Sequence, residues 1–540
     1  MDEHEYDYVV VGAGSAGAVI AARLSAQEGC RVLLLEAGGS DRSRLCRVPG
    51  NVSLIHTVPQ IKRRFDWGYY TSPRTATLER KIPYTRGKVL GGSSAINGMV
   101  YVRGNRKNYD DWAAEGCTGW AYDDVLPLFK RLETFEDGES EFRGGSGPIQ
   151  CTRAHGISPV SQAVIQAISG TCGVAMLDDY NAGEQEGIGA CQMNAKNGVR
   201  YSSSEGYLQP ALAHGRLHIE PKAFVRRIEV VRDRAVAVEY VCDGAPKVAR
   251  AAHEIILSAG VVGSAQILML SGIGPASDLT RLGLAVHADL PVGRNLHDHL
   301  LLPLVFLAPN AGHRGTLLHL LSGMLRTAVA RDGWFSRTVF ETIGFIKSDA
   351  AQPIPDIQVH SLPWAYPAPN QDAPKIHTVD RRPAITVQPT LIYPKSRGEV
   401  TLRSADPTVA PLIDPHYLEE REDLELLARG AEIVREAMSR PEMKEWVSSE
   451  LEPGLSRFAS REALLREIPN RVCTVYHPVG TCRMGVDERA VVDPQLRVRG
   501  IAGLRVADAS IMPSIVGGNT NVPSFMIGEK CADLLMASAS

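Results

Sequence analysis

Tyr6-Asp7-Tyr8-Val9-Val10-Val11-Gly12-Ala13-Gly14-Ser15-Ala16-Gly17 is the stretch whose reading decides the fold. Its apolar, β-branched start predicts a strand buried on both faces. Residues 15–27 have helical composition, and Arg31-Val32-Leu33-Leu34-Leu35 predicts a second buried strand that runs into Glu36 and Ala37. Strand, glycine turn, helix, strand and acid within about thirty residues make a βαβ nucleotide-binding unit. In that unit Gly12 permits the tight turn, Gly14 lets backbone approach a pyrophosphate, and Gly17 lets helix and strand pack closely. The amides around Ser15 and Ala16, at the helix N-terminus, are suited to phosphate. Glu36 stands where a carboxylate accepts ribose hydroxyls and repels a 2′-phosphate, which argues against NADP. The motif alone does not separate FAD from NAD.

The other end of the chain carries the complementary chemistry. Val475-Tyr476-His477-Pro478-Val479-Gly480-Thr481 places a histidine on a tight Pro/Gly loop, and the amide-rich Asn519-Thr520-Asn521 follows. A neutral imidazole is suited to accept a proton near pH 7. A redox cofactor needs both a phosphate cradle and a proton acceptor.

Composition narrows the classes. With 540 residues the chain is expected to hold more than one domain. A formal net charge of −3 offers no basic face for nucleic acid. The ten cysteines show no CxxC pair or metal-like spacing and are read as reduced. No Cys/His constellation supports a metal; His297 and His299, which flank Asp298, are assigned to structural hydrogen bonding. The acidic start lacks a secretory pattern, and no apolar run approaches the roughly 20 residues of a spanning helix. A cytoplasmic enzyme, monomer or homodimer, is expected. Leu317-Leu318-His319-Leu320-Leu321-Ser322-Gly323-Met324-Leu325 is read as a buried or dimer-facing helix, with surface attachment as the alternative.

Residues 111–133 read as one helix, and residues 218–231 and 236–241 as hairpin strands. Residues 254–260 read as a third buried strand, followed by a helix over 264–270. Beyond Leu300, proline-rich segments interrupt strand-like pieces such as 357–360 and 384–388. The fold class is therefore α/β: a Rossmann-like domain over 1–300 and 465–540, with insertions near 150–200, and a substrate domain over 301–464 on a largely antiparallel sheet. Trp334, Phe335, Phe340, Phe345, Trp364 and Tyr366 suggest a moderately apolar, aromatic pocket there, and no acidic cluster for a quaternary ammonium is visible.

At Gly87-Lys88-Val89-Leu90-Gly91-Gly92-Ser93-Ser94-Ala95-Ile96-Asn97, and on through Tyr101-Val102-Arg103-Gly104, the chain resembles the glucose–methanol–choline (GMC) oxidoreductases. Residues 260–274, ending in Ser271-Gly272-Ile273-Gly274, are similar to a second signature of that family. They depart from it at Val261 and Ala265, where a small residue and Pro or Ser are usual. Residues 292–299, 477–485, 506–513 and 519–530 match as well. The resemblance implies FAD-dependent oxidation of a primary or secondary alcohol to aldehyde or ketone. A hydride would pass to flavin N5, and oxygen or another acceptor would take the electrons. A hydroxynitrile-lyase-like enzyme that keeps FAD without net redox is the alternative.

The same resemblance assigns roles. His477 matches the catalytic base, and Asn519 the second active-site position. Gly91, Gly92, Ser93, Asn97, Gly98, Met99 and Val100 would lie along the flavin. Trp67 and Val225 are weaker matches to the cofactor site, with the Val225 backbone against the adenine. Asp508 and Ala509 would reach the ribityl–pyrophosphate region, beside Asn519 and Thr520, and Tyr476 would line the substrate cavity. Ile96 occupies the position where some members carry a histidine joined to FAD, so noncovalent FAD is expected.

Overall fold

A computed structural model describes residues 5–311, 313, 316–330, 335–336, 338–366, 381–454 and 458–539. Strand β1 (Glu5–Val11), helix α1 (Ser15–Ser25) and strand β2 (Val32–Glu36) form the expected βαβ unit. β1 pairs in parallel with β2 on one side and with Ala245–Leu257 on the other. Leu217–Pro221 extends this parallel sheet beyond β2, and Leu504–Val506 pairs in parallel with the end of Ala245–Leu257. The core strands are buried on both faces: Val9, Val10, Val32 and Leu34 are wholly inaccessible. That explains their unbroken apolar composition.

Two elements differ from the sequence reading. The strand expected over 218–231 is two strands, Leu217–Pro221 and Ala223–Val231, broken at Lys222, whose φ is 59°. The first joins the parallel side of the sheet, and the second forms a hairpin with Arg234–Cys242. The helix expected over 111–133 is Arg106–Ala114 followed by Tyr122–Leu132. Gly116 and Gly119, both at positive φ, interrupt it, a backbone turn that glycine allows at little cost.

A second, eight-stranded sheet is antiparallel at every pairing among the described residues. It contains Ser449–Glu452, Leu304–Leu307, Ala384–Leu391, Ile357–Leu362, Thr342–Ile346 and Gly187–Ala190 in that order. Leu300–Leu301 pairs with both Ala384–Leu391 and Cys473–Thr474. This last junction ties the sheet to the loop that carries His477.

The two ends of the chain meet. The C-terminal helix, Asn521–Ala539, crosses α1 so closely that a Cβ on Gly528 would lie 2.7 Å from the Ala16 carbonyl oxygen. Buried Glu529 holds the crossing, accepting from Arg23, Arg131 and the Tyr207 hydroxyl. The crossing sets Asn521 beside the glycine turn: the Ser15 hydroxyl donates to Asn521 Oδ1 at 2.8 Å.

The segment read as a buried or dimer-facing helix is Leu317–Ala330. It leaves Leu318, Leu321, Leu325 and Val329 exposed, so the buried reading fails. No helix among the described residues is long and apolar enough to cross a membrane.

Candidate active site

One cavity of about 580 Å³ runs from the glycine turn to His477. Gly12, Gly14, Ser15, Ala16, Glu36 and Ala37 line one end, and His477, Asn519 and Tyr476 line the other. Trp67, Gly92, Ser93, Asn97, Gly98, Met99, Val100, Val225, Asp508, Ala509 and Thr520 form the walls between. Gly17 and Gly91 stand one layer behind. A Cβ on Gly17 would lie 2.0 Å from the Gly12 carbonyl oxygen, and Gly91 (φ 87°) donates its N–H to the Ala13 carbonyl at 2.9 Å. Both shape the wall without facing the cavity.

The glycine end is built for a nucleotide. Gly12 sits at φ 99°, and a Cβ there would strike the Ser258 backbone, whereas a Cβ on Gly14 would meet nothing nearer than 4.0 Å. The turn therefore leaves open space directly above Gly14. Glu36 accepts the N–H groups of Ala13 (3.0 Å) and Gly38 (2.7 Å). Burial nevertheless raises its carboxyl pKa to about 7, against the lowering effect of those two bonds. Further donors, such as ribose hydroxyls, would favour its anion. Trp67 stacks on Tyr69 at 5.9 Å, with the Lys88 ammonium 4.6 Å from its ring. Asn521 Nδ2 is buried with no protein partner. Open space above Gly14, a buried carboxylate and this orphaned amide fit a bound dinucleotide. Asp508 is engaged with protein: it accepts from Gly260 N–H, the Ser264 hydroxyl and Ser510 N–H, and so pins the second glycine strand-end to the wall.

The reacting end is set by backbone pairing. His297 and Val479 bond reciprocally, and Val475 N–H donates to the His299 carbonyl, aligning residues 297–299 with the His477 loop. Asp298 is buried. It accepts from the Tyr417 hydroxyl (2.6 Å), the Thr474 hydroxyl (2.5 Å) and the His477 backbone N–H (2.8 Å). Tyr476 takes φ 65°, a conformation costly for a bulky residue, and its carbonyl accepts from Arg86. These contacts fix the ring of His477.

That ring meets two groups. Its Nε2 lies 3.1 Å from Asn519 Nδ2, and its Nδ1 lies 3.1 Å from His299 Nδ1. Burial pushes the His477 pKa well below the ordinary value, and nearby His299, Arg86 and His360 add to this. Burial also lowers His299 and His360 to about 3. All three shifts favour the neutral imidazole.

Sequence reading missed His299 in this role, along with Gln358 and His360. Residues 358, 360 and 362 share one face of their strand, and His360 and Leu362 reach the cavity. Of the aromatic residues expected there, Phe335, Phe340, Trp364 and Tyr366 line it. Phe345 instead packs on Tyr180 in a separate cluster, and Trp334 lies outside the described residues.

Comparison with known proteins agrees with this geometry. Two models described as GMC oxidoreductase match residues 6–301 and 394–528. The chain is 38% identical to an oxygen-dependent choline dehydrogenase of Photobacterium profundum, over 99% of this chain and 93% of that one. It is 37% identical to an alcohol dehydrogenase (acceptor) of Pseudomonas putida, over 98% and 96%. The crystal structure of pyridoxine 4-oxidase from Mesorbium loti superposes with a TM-score of 0.87 at 30% identity, covering 98% of this chain and 99% of that one. The chain belongs to the GMC oxidoreductase family. It is an FAD-dependent oxidoreductase acting on alcohols.

Proposed function

We propose that this enzyme oxidises an uncharged, apolar or aromatic alcohol to its aldehyde or ketone, with His477 as the base. The observation that carries the reading is the 3.1 Å pairing of His477 Nε2 with Asn519 Nδ2 at one end of a cavity whose other end is the Gly12–Gly14–Glu36 cradle. In this reading residues 1–300 and 465–540 hold the nucleotide and residues 301–464 cover the substrate. FAD, when bound, supplies the two-electron acceptor. The alcohol oxygen enters between the two side chains, donates its O–H to His477 Nε2 and accepts from Asn519 Nδ2–H. The proton then moves to Nε2, while Asn519 keeps its bond to the oxygen as negative charge develops.

The substrate class follows from the lining. Its carboxylates, among the described residues, are Glu36 and Asp508, both already bonded to protein at the nucleotide end. Phe335, Phe340, Leu362, Trp364 and Tyr366 supply apolar lining, and His360, Gln388 and Thr474 uncharged polar lining, with Arg86 as a nearby cation. Burying a quaternary ammonium without a counter-charge is unfavourable. Anaerobic addition of benzyl alcohol or a medium-chain primary alcohol is therefore expected to bleach the flavin, and choline to bleach it far more slowly. Bleaching by no alcohol would overturn the reading, and faster bleaching by choline would overturn the substrate class.

FAD is held without a covalent bond in this reading. Ile96 offers only hydrocarbon, and the neighbouring His56 has its Nε2 against the Ile96 carbonyl at 3.1 Å. Acid precipitation is expected to release all yellow colour to the supernatant. Colour retained on the pellet would show a covalent link.

A further inference from the structure

We infer that Gln358 and His299 are positioning residues that together fix which nitrogen of His477 carries a proton. The inference rests on the reading of His477 as the base. Gln358 is wholly buried on strand Ile357–Leu362, and its Nε2 donates to Asn519 Oδ1 at 3.1 Å. A primary amide has one acceptor end and one donor end. With the acceptor end of Asn519 taken by Gln358, its donor end is the one facing His477 Nε2, 3.1 Å away.

His477 Nε2 is therefore an acceptor, and in a neutral imidazole the proton then resides on Nδ1. There His299 Nδ1, at 3.1 Å, receives it, so the proton of His299 is on its own Nε2, a buried atom with no hydrogen-bond partner among the described residues. Three bonds run in one direction, from Gln358 to Asn519, from Asn519 to His477, and from His477 to His299. The result presents one acceptor and one donor side by side, which is the complement of an alcohol hydroxyl. After the alcohol proton reaches Nε2, the Nδ1 proton still has the His299 lone pair, so the imidazolium is held by a neutral partner.

Gln358 Oε1 is buried with no partner. In the reversed arrangement both amides turn: Gln358 Oε1 accepts from Asn519 Nδ2, Gln358 Nε2 becomes the atom without a partner, and Asn519 Oδ1 faces His477. His477 would then hold its proton on Nε2 and be no base. Choosing between these two arrangements is the part assigned to Gln358 and His299. The titratable and charged groups around His477 are His299, His360, Arg86 and Tyr476. Asp298 accepts the His477 backbone N–H. None of these faces the Nε2–Asn519 contact with an opposing carboxylate.

The test uses the FAD-loaded enzyme and four variants. Gln358→Glu offers only acceptors once ionised and then imposes the reversed arrangement, whereas its protonated form keeps an O–H donor; Gln358→Leu removes the donor without imposing either. His299→Phe removes the acceptor, and His299→Gln restores one. With FAD content equal to wild type, ionised Gln358→Glu is expected to slow flavin reduction by about 10–100-fold, by analogy with the loss of an outer-shell partner of a metal ligand. It should slow reduction more than Gln358→Leu does. His299→Phe is expected to shift the pH inflection of kcat/KM, and His299→Gln to return it towards wild type. A second readout needs no turnover: the pH dependence of 2,2,2-trifluoroethanol binding, followed by perturbation of the flavin spectrum, should change in Gln358→Glu and His299→Phe. Equal losses in both Gln358 variants with unaltered pH profiles would indicate mere packing and overturn the inference. So would wild-type behaviour throughout. If no alcohol reduces the wild-type enzyme, the functional reading fails by itself, and the binding readout still decides the proton arrangement.

Discussion

His477→Ala is expected to lower the rate at which an alcohol reduces the flavin by about 10²–10⁴-fold, the range typical of a lost acid–base group. The imidazole is fixed by its backbone N–H on Asp298 and by contacts at both ring nitrogens. Removing it leaves Asn519 able to bond the substrate oxygen but takes away the imidazole paired with Asn519. His299 is the nearest other imidazole, but it approaches His477 from the Nδ1 side, away from Asn519. FAD content should be unaffected, since the phosphate cradle is at the far end of the cavity. The pH dependence supplies a second signature. Burial lowers the His477 pKa, so the neutral, active form prevails above an inflection below the ordinary histidine value of about 6.5. In the wild type, kcat/KM should hold level through neutrality and fall as pH drops through that inflection. The alanine variant should lose the inflection. Wild-type reduction rates in His477→Ala would remove the assignment.

What was legible in the sequence follows the range of the interactions involved. The βαβ unit is read correctly because strand, turn, helix and acid lie within about thirty residues and each is dictated locally. The limits of this local reading show at Lys222, where a single left-handed residue sends Leu217–Pro221 to one side of the sheet and Ala223–Val231 to the other. Composition cannot report that switch, since both strands have strand-like residues. That His477 and Asn519 would share one cavity was legible because each stands in a short motif. Gln358 was not: it sits in a strand-like piece 161 positions from Asn519, and only the register of the second sheet brings them together. His299 was seen but assigned to structural bonding. Its contact with His477 depends on the pairing of residues 297–299 with 475–479 across the chain. Phe345 resembles the cavity aromatics in sequence, yet the alternation of its strand turns it into the Tyr180 cluster.

The glycine turn allows a prediction that separates cofactor contact from packing. Gly14→Ala and Gly17→Ala remove the same kind of residue three positions apart, but their surroundings differ. A Cβ on Gly14 meets no protein atom nearer than 4.0 Å and sits at ordinary negative φ (−74°), so the apoprotein should fold and melt almost as wild type does. The added methyl occupies the space above the turn that a pyrophosphate needs, because Gly14 is the position of close backbone approach. A Cβ on Gly17 lies 2.0 Å from the Gly12 carbonyl oxygen and 2.9 Å from the Ser258 side chain. The first of these is backbone, which cannot step aside, so α1 itself must shift away from the turn. Overpacking of this kind costs about 1–3 kcal/mol. Gly14→Ala is thus expected to purify colourless, with FAD affinity reduced at least about tenfold, the equivalent of about 1.4 kcal/mol, and with the apoprotein melting temperature little changed. Gly17→Ala is expected to lower the melting temperature of both apo and FAD-loaded protein. Titration of each apoprotein with FAD beside a thermal melt checks both. A Gly14→Ala protein that binds FAD as tightly as wild type would mean that the pyrophosphate does not pass over Gly14. The cavity would then have to be filled in some other way than the cradle of Gly12, Gly14 and Glu36 implies.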